Sequence, residues 1–196
     1  MGFCVEQYAK VRPTLWHLTN HDNLKSIRES RTLFPAEHFI AATSDFPRRR
    51  RVVTSDGIVI RDQALLHERC IQFDAGYSFC LFVRNLNSRV FFWAGWQDRP
   101  VIAGRRAIAH YRDSDVLIRV PFIDIAASYS PFFSQCNSGA PRMQHGKTVL
   151  RGKRTFLAAA ECEFPATEVV EVTFAHPVTL PATSEIALPG DRWECL

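Results

Sequence analysis

The chain has 196 residues, 46% hydrophobic, 22% charged and 12% aromatic, with a formal net charge of +4. That balance excludes a disordered chain and predicts one domain over residues 1–196, large enough to bury a core. No run of about 18 apolar residues is present to span a bilayer. Residues 1–12 lack the apolar stretch of a secretory signal, which places the protein in the cytoplasm with its six widely spaced cysteines as reduced thiols. No C-x-x-C pair occurs and the cysteines are widely spaced, so no metal is expected.

In chain order, residues 14–19 follow Pro13 as a short buried strand. Asp22 is placed as N-cap of a helix over 23–30 with Leu24 and Ile27 on one face. A turn and a second short helix starting near Pro35 cover 33–42. Residues 44–56, which hold Arg48, Arg49, Arg50 and Arg51 and end in Asp56-Gly57, read as a loop. Residues 58–62 suit either a strand or a helix lead-in. Residues 64–74 and 77–86 read as helices separated by Ala75-Gly76. The aromatic run 89–95 is a buried strand, 99–111 a helix, and 116–120 a strand. Residues 131–136 lead as a strand into the turn Asn137-Ser138-Gly139, and 139–153 is a long polar connection. Residues 167–174 alternate and are β-branched, which predicts a strand. These elements do not repeat as βαβ units, so the predicted class is α+β with a mixed or antiparallel sheet.

The basic residues are 20 Arg against 4 Lys. That excess favours forked contacts to phosphates or carboxylates, although a GC-rich genome produces the same bias without function. Residues 45–112 hold 12 basic and 6 acidic side chains, whereas residues 161–196 hold 1 basic and 7 acidic. A basic middle suits a protein that meets a polyanion, or it pairs with the acidic tail inside the fold.

Fingerprints of dinucleotide-binding Rossmann sheets, P-loops and α/β-hydrolases are absent from the sequence. Two polar residues within predicted strands remain. Alternation puts His17 and Thr19 on one face, a hydrogen-bonding platform for a hydroxylated ligand or else a satisfied core histidine. Glu171 shares a strand face with Val169 and Thr173, and Glu168 takes the other. A carboxylate set deep in a strand is either paired with a base or poised for chemistry. The run from Arg48 to Arg51 has a plainer reading as a solvated loop.

The segment Trp16-His17-Leu18-Thr19-Asn20-His21-Asp22-Asn23-Leu24, with Ile27, resembles the first strand and helix of DarT-type ADP-ribosyltransferases. Ile60-Arg61-Asp62-Gln63, the Asn87-Ser88-Arg89-Val90-Phe91-Phe92-Trp93 run, Asn137-Ser138-Gly139, and Arg151-Gly152 with Thr155-Phe156 resemble, in this order, a set of uncharacterised bacterial proteins. We take that set as distant members of the same fold. The resemblance implies an ADP-ribosyltransferase-like split sheet with flanking helices and an NAD cleft between the sheets. It implies NAD as ADP-ribose donor and no metal.

Residue by residue, it places His17 on the adenosine ribose and nicotinamide amide region, with Thr19 and Asn23 positioning the dinucleotide. One of Phe91, Phe92 and Trp93, with Phe92 preferred, lies beneath the nicotinamide ring. Glu171 is the catalytic carboxylate on the nicotinamide ribose. Arg51 or Arg61 is the functional arginine, Arg51 at the catalytic position and Arg61 at the dinucleotide. The acceptor implied is a nucleic acid, DNA or RNA, with protein next, and a toxin role with an antitoxin partner follows from DarT. The acceptor-binding regions of DarT are not reproduced, so base-specific DNA modification does not carry over. The same residues admit an NAD glycohydrolase, or a non-catalytic nucleotide-binding module of this fold.

Overall fold

A short helix, Val5–Val11 (α1), drops Tyr8 into the core and leads through Pro13 into the strand Thr14–Asn20 (β1). The computed structural model describes residues 3–40, 51–61, 63, 66–110, 114–139, 149–188 and 192–196, so Arg48, Arg49, Arg50 and most of the 139–153 connection lie outside the described residues. After β1 the cap falls on Asn20, not on Asp22. The Asn20 side chain accepts the Asp22 N–H at 3.0 Å, so a 3-10 turn, His21–Asn23, precedes the helix Leu24–Ser30 (α2). Asn20 has the extended backbone that an N-cap requires, two residues earlier than the sequence indicates. Leu24 and Ile27 are the buried face of α2, as their spacing predicts.

Strand Thr32–Leu33 (β2) and helix Glu37–Ile40 (α3) follow. Val52–Val53 (β3) and Val59–Ile60 (β4) pair antiparallel around a turn whose Gly57 adopts φ 80°, a left-handed conformation that glycine accepts freely. Within the ambiguous stretch at 58–62, Val59–Ile60 is therefore a strand. The helix expected over 64–74 is replaced, in its described part, by a 3-10 turn, Glu68–Cys70, and a strand, Ile71–Phe73 (β5). β5 pairs in parallel with Val149–Arg151 (β9), a partner about 78 positions away that local propensity cannot reveal.

Ser78 caps the helix Phe79–Asn87 (α4) by accepting the Leu81 N–H. Strands Val90–Gly95 (β6) and Asp115–Pro121 (β7) match the sequence reading closely, while the helix between them, Ile102–Ile108 (α5), starts later than the expected 99 because Pro100 bridges to Gly95. Helix Phe122–Ala126 (α6) comes next, followed by strand Phe132–Ser134 (β8) and, after β9, strand Leu157–Ala158 (β10). The late strand is shorter than expected. Ala166–Glu168 forms a 3-10 turn after Pro165, and Glu171–Phe174 (β11) is the strand, with Glu171 at its entrance. Val178–Thr179 (β12), Glu185–Ala187 (β13) and Glu194–Cys195 (β14) complete the described elements.

Eight strands form one sheet in the order β10-β8-β11-β6-β1-β7-β13-β14, every neighbouring pair antiparallel. The fold is α+β with a large antiparallel sheet. Leu15, Phe92, Ala94, Ile118, Val120, Phe133, Val172 and Phe174 are buried together, with Tyr8, Phe122 and Ile125 from α1 and α6 packed into the same cluster. Each large apolar side chain so buried contributes about 1.5–3 kcal/mol before the entropy of ordering it is subtracted. A second cluster gathers Leu66, Ile71, Phe82, Val83, Leu86 and Phe156 beside Phe91 and Phe132.

One feature of the pairing positions the site. The β1–β6 ladder covers Thr14, Leu15 and Trp16, opposite Gly95, Ala94 and Trp93, and stops there. The β1–β7 ladder runs on to Asn20 opposite Asp115. From His17 onward, β1 thus leaves β6 while staying bonded to β7, and the sheet splits partway along its length.

Candidate functional site

Three adjacent strands, β11, β6 and β1, carry Glu171, the aromatic run and His17 respectively. The register sets Glu171 opposite Trp93 on one side and Ser134 on the other, and Trp93 opposite Trp16. His17 follows Trp16 directly, so it sits where the ladder opens. There its Nδ1–H donates to the Phe91 carbonyl at 2.8 Å, a side-chain bond across the gap in place of a backbone pair. Burial pushes the imidazole down to about 4, with the nearby Arg61 guanidinium acting in the same direction against the Phe91 bond. The ring is neutral at physiological pH. With the proton on Nδ1, Nε2 is left as a hydrogen-bond acceptor, the form suited to a hydroxyl group.

Glu171 is a 4% exposed carboxylate in a fully buried strand. Its Oε2 accepts two bonds from one residue, the Ser138 backbone N–H at 3.0 Å and the Ser138 Oγ–H at 2.6 Å. Burial pushes the carboxyl up to about 7, while the two Ser138 bonds and the Arg151 guanidinium pull the other way. Arg151 is itself 3% exposed and donates to the carbonyls of Leu150 (3.0 Å) and Asn137 (3.4 Å). Cys136, in the same turn, is held as a neutral thiol chiefly by burial and lies 3.2 Å from Ser134 Oγ.

Asn23 is hydrogen-bonded within the fold. Its Nδ2 donates to Thr19 Oγ1 (3.1 Å) and to the Val59 carbonyl (2.9 Å), and its Oδ1 accepts the Val59 N–H (2.7 Å). The amide is committed to pinning β4 against the end of β1, and Thr19 is a partner in that clamp. The β3–β4 hairpin held in this way carries Arg51 at its start and Arg61 just past its end. Arg61 Nη1 lies 3.2 Å from Asp115 Oδ1, beside the open end of β1, and Arg51 is exposed. Asn23→Ala is expected to cost about 1–3 kcal/mol, the range for stranding buried hydrogen-bonding partners. Amide hydrogen exchange should show this as faster exchange at Val59, with the β1–β7 ladder unchanged.

His17, Thr19, Asn23 and Arg61 therefore converge at the split, with Arg51 on the same hairpin. Glu171 lies across β6 from them. The preferred aromatic is corrected. Phe92 is 1% exposed, with its ring between His17 (5.5 Å) and Phe174 (5.8 Å) in the core, and it presents no open face to a ligand. Alternation had already set Phe92 apart from Phe91 and Trp93; burial decides which side is the core. Ser138 and Arg151 were legible as parts of short patterns, but nothing local tied either to Glu171.

This site lies on an α+β domain whose antiparallel sheet opens between the strand bearing a histidine and its aromatic neighbour. The chain belongs to a family of unknown function, DUF7002, whose model matches residues 13–184. Its fold is similar to that of Thermus sp. 2.9 DarT in complex with NAD+, at 15% identity and a TM-score of 0.41, over 90% of this chain and 82% of that one. No curated protein matches it. Among the described residues, no helix is long and apolar enough to cross a membrane, and no group of three or more His, Cys, Asp or Glu is placed to hold a metal ion.

Proposed function

We propose that this protein is an NAD-dependent ADP-ribosyltransferase, releasing nicotinamide and passing ADP-ribose to a nucleic acid. The observation that carries the reading is the strand order: a buried, hydrogen-bonded Glu171 and a neutral His17 flank one aromatic strand at a split in the sheet. The sequence resemblance to DarT-type enzymes gives that arrangement its chemistry.

In the reaction, the bond between the ribose C1′ and the nicotinamide nitrogen breaks, and its electron pair leaves on nicotinamide. Positive charge builds on the ribose, which an ionised Glu171 in a water-poor site stabilises more strongly than solvent would. His17 Nε2 accepts a bond from a ribose hydroxyl and fixes the sugar in place. Arg61, and Arg51 on the same hairpin, provide charge for the diphosphate. An acceptor nucleophile then forms the new bond to C1′, and its proton passes to water.

The test is incubation with NAD labelled in the adenosine moiety, together with separate pools of single-stranded DNA, RNA and protein. Label retained on a nucleic acid, with stoichiometric nicotinamide, is the expected result. Free ADP-ribose with no labelled acceptor identifies a glycohydrolase instead. No nicotinamide from any pool overturns the catalytic reading.

A further inference from the structure

The turn after β8 lies next to Glu171 without belonging to its strand, and it is built from two of the short patterns in the sequence. Arg151 donates to the Asn137 carbonyl from one side, and Ser138 turns its N–H and hydroxyl toward the carboxylate from the other. Ser138 is 0% exposed, so its hydroxyl has no water to exchange with. A buried serine could satisfy its O–H on a backbone carbonyl, as Ser184 does on Pro181. Ser138 instead directs both of its donors to a single oxygen, Oε2. Among the described residues, no donor is directed at Oε1.

We propose that Ser138 is a positioning residue. Held by the Arg151-clamped turn, it locks Oε2 of Glu171 and leaves Oε1 as the oxygen that works on the substrate. The proposal rests on the transferase reading for the word substrate, but the geometry and its test do not.

Two consequences follow from the asymmetry. A carboxylate bonded through one oxygen is fixed in rotation about its last torsion, so the other oxygen points in one direction. Bonds donated to the charged form also favour ionisation, opposing the burial that disfavours it. The other titratable or charged groups that act on Glu171 among the described residues are Arg151, from β9, and Cys136, from the turn itself. β6 faces it with Trp93, which does not titrate. Burial holds the Cys136 thiol above its ordinary range and so neutral near neutral pH, and a change there in the assigned carboxyl resonance reports on Glu171.

The experiment is a side-chain carboxyl carbon NMR titration of the substrate-free protein, with the Glu171 resonance assigned by its loss in Glu171→Gln. Wild type, Ser138→Ala and Ser138→Thr are compared. Ser138→Ala keeps the backbone bond and loses the hydroxyl, and its Glu171 midpoint is expected to rise by about one pH unit, the scale of one lost hydrogen bond to a charged group. Ser138→Thr, which retains a hydroxyl, is expected to restore the wild-type midpoint. Nicotinamide release in the same variants should show its acidic limb moving with the midpoint. An unchanged midpoint in a folded Ser138→Ala protein, verified by circular dichroism, overturns the positioning role. A shifted midpoint in a protein that releases no nicotinamide overturns the transferase reading and leaves the positioning role standing.

Discussion

Glu171→Gln is expected to abolish nicotinamide release and, in the same protein, to raise stability at alkaline pH. The catalytic loss is the larger effect. Removing one fixed electrostatic stabiliser of a developing charge typically costs a hundredfold to a thousandfold, about 3–4 kcal/mol. Gln is close in shape and can still accept both Ser138 bonds, so the loss reports on charge and not on packing. The stability gain has the opposite origin. The Glu171 carboxyl is pushed up to about 7 in the fold from an ordinary value of 4.5. A group whose proton is held more tightly in the folded state stabilises the fold fully below its unfolded pKa and loses that contribution as pH rises through the folded one. Between pH 5 and pH 8, wild type should therefore lose on the order of 1–3 kcal/mol that the Gln variant, neutral throughout, does not. Thermal melts of both proteins at pH 5 and pH 8 measure this directly, and equal pH dependence would show that the carboxylate is not under strain. The two halves together describe a residue kept for its chemistry at a cost to the fold.

The parts of this molecule that were legible in the sequence are those where a local pattern decides the outcome. The 3.6-residue spacing of Leu24 and Ile27, the aromatic run of β6 and the alternation in β1 each fix an element without help from elsewhere. Among the elements the sequence did not show are β5 and β9, because each is stabilised by the other from far along the chain and a lone three-residue strand has no pattern of its own. The N-cap was misplaced because Asn20 and Asp22 are equally good capping residues by type. At the site, the residue types were legible and the pairings were not. Glu171 is conspicuous as a carboxylate between valines, and His17 as an imidazole between Trp16 and Leu18. That Ser138 would hold Glu171 depends on β8 pairing with β11, which brings together positions 33 residues apart. Asn23 shows the converse: its pattern is recognisable in the sequence, but its bonds to the backbone of Val59, 36 residues on, are not.

Phe92→Ala is expected to destabilise the protein by about 3–5 kcal/mol, the usual cost of an aromatic-to-alanine cavity in a closed core. The size of that effect separates two roles for the ring. A ligand-stacking aromatic is open on one side before the ligand arrives, so truncating it leaves the empty protein nearly as stable and raises the KM for substrate. A core ring leaves a void that neighbours fill only in part. Phe92 has neighbours on every side: His17 and Phe174 within 6 Å, with Val172 opposite it in the β11 ladder. Chemical denaturation should thus show the full loss with no NAD present, and Phe92→Leu, which refills most of the volume, should recover more than half of it. The ring has a functional consequence through its contact with His17. It packs against the imidazole at a tilt, which helps exclude water and keep the ring neutral with Nε2 as acceptor. In Phe92→Leu, a His17 titration midpoint moved upward from about 4 toward the solvent value measures that contribution. A stable Phe92→Ala protein with an unmoved His17 would return the ring to the ligand side.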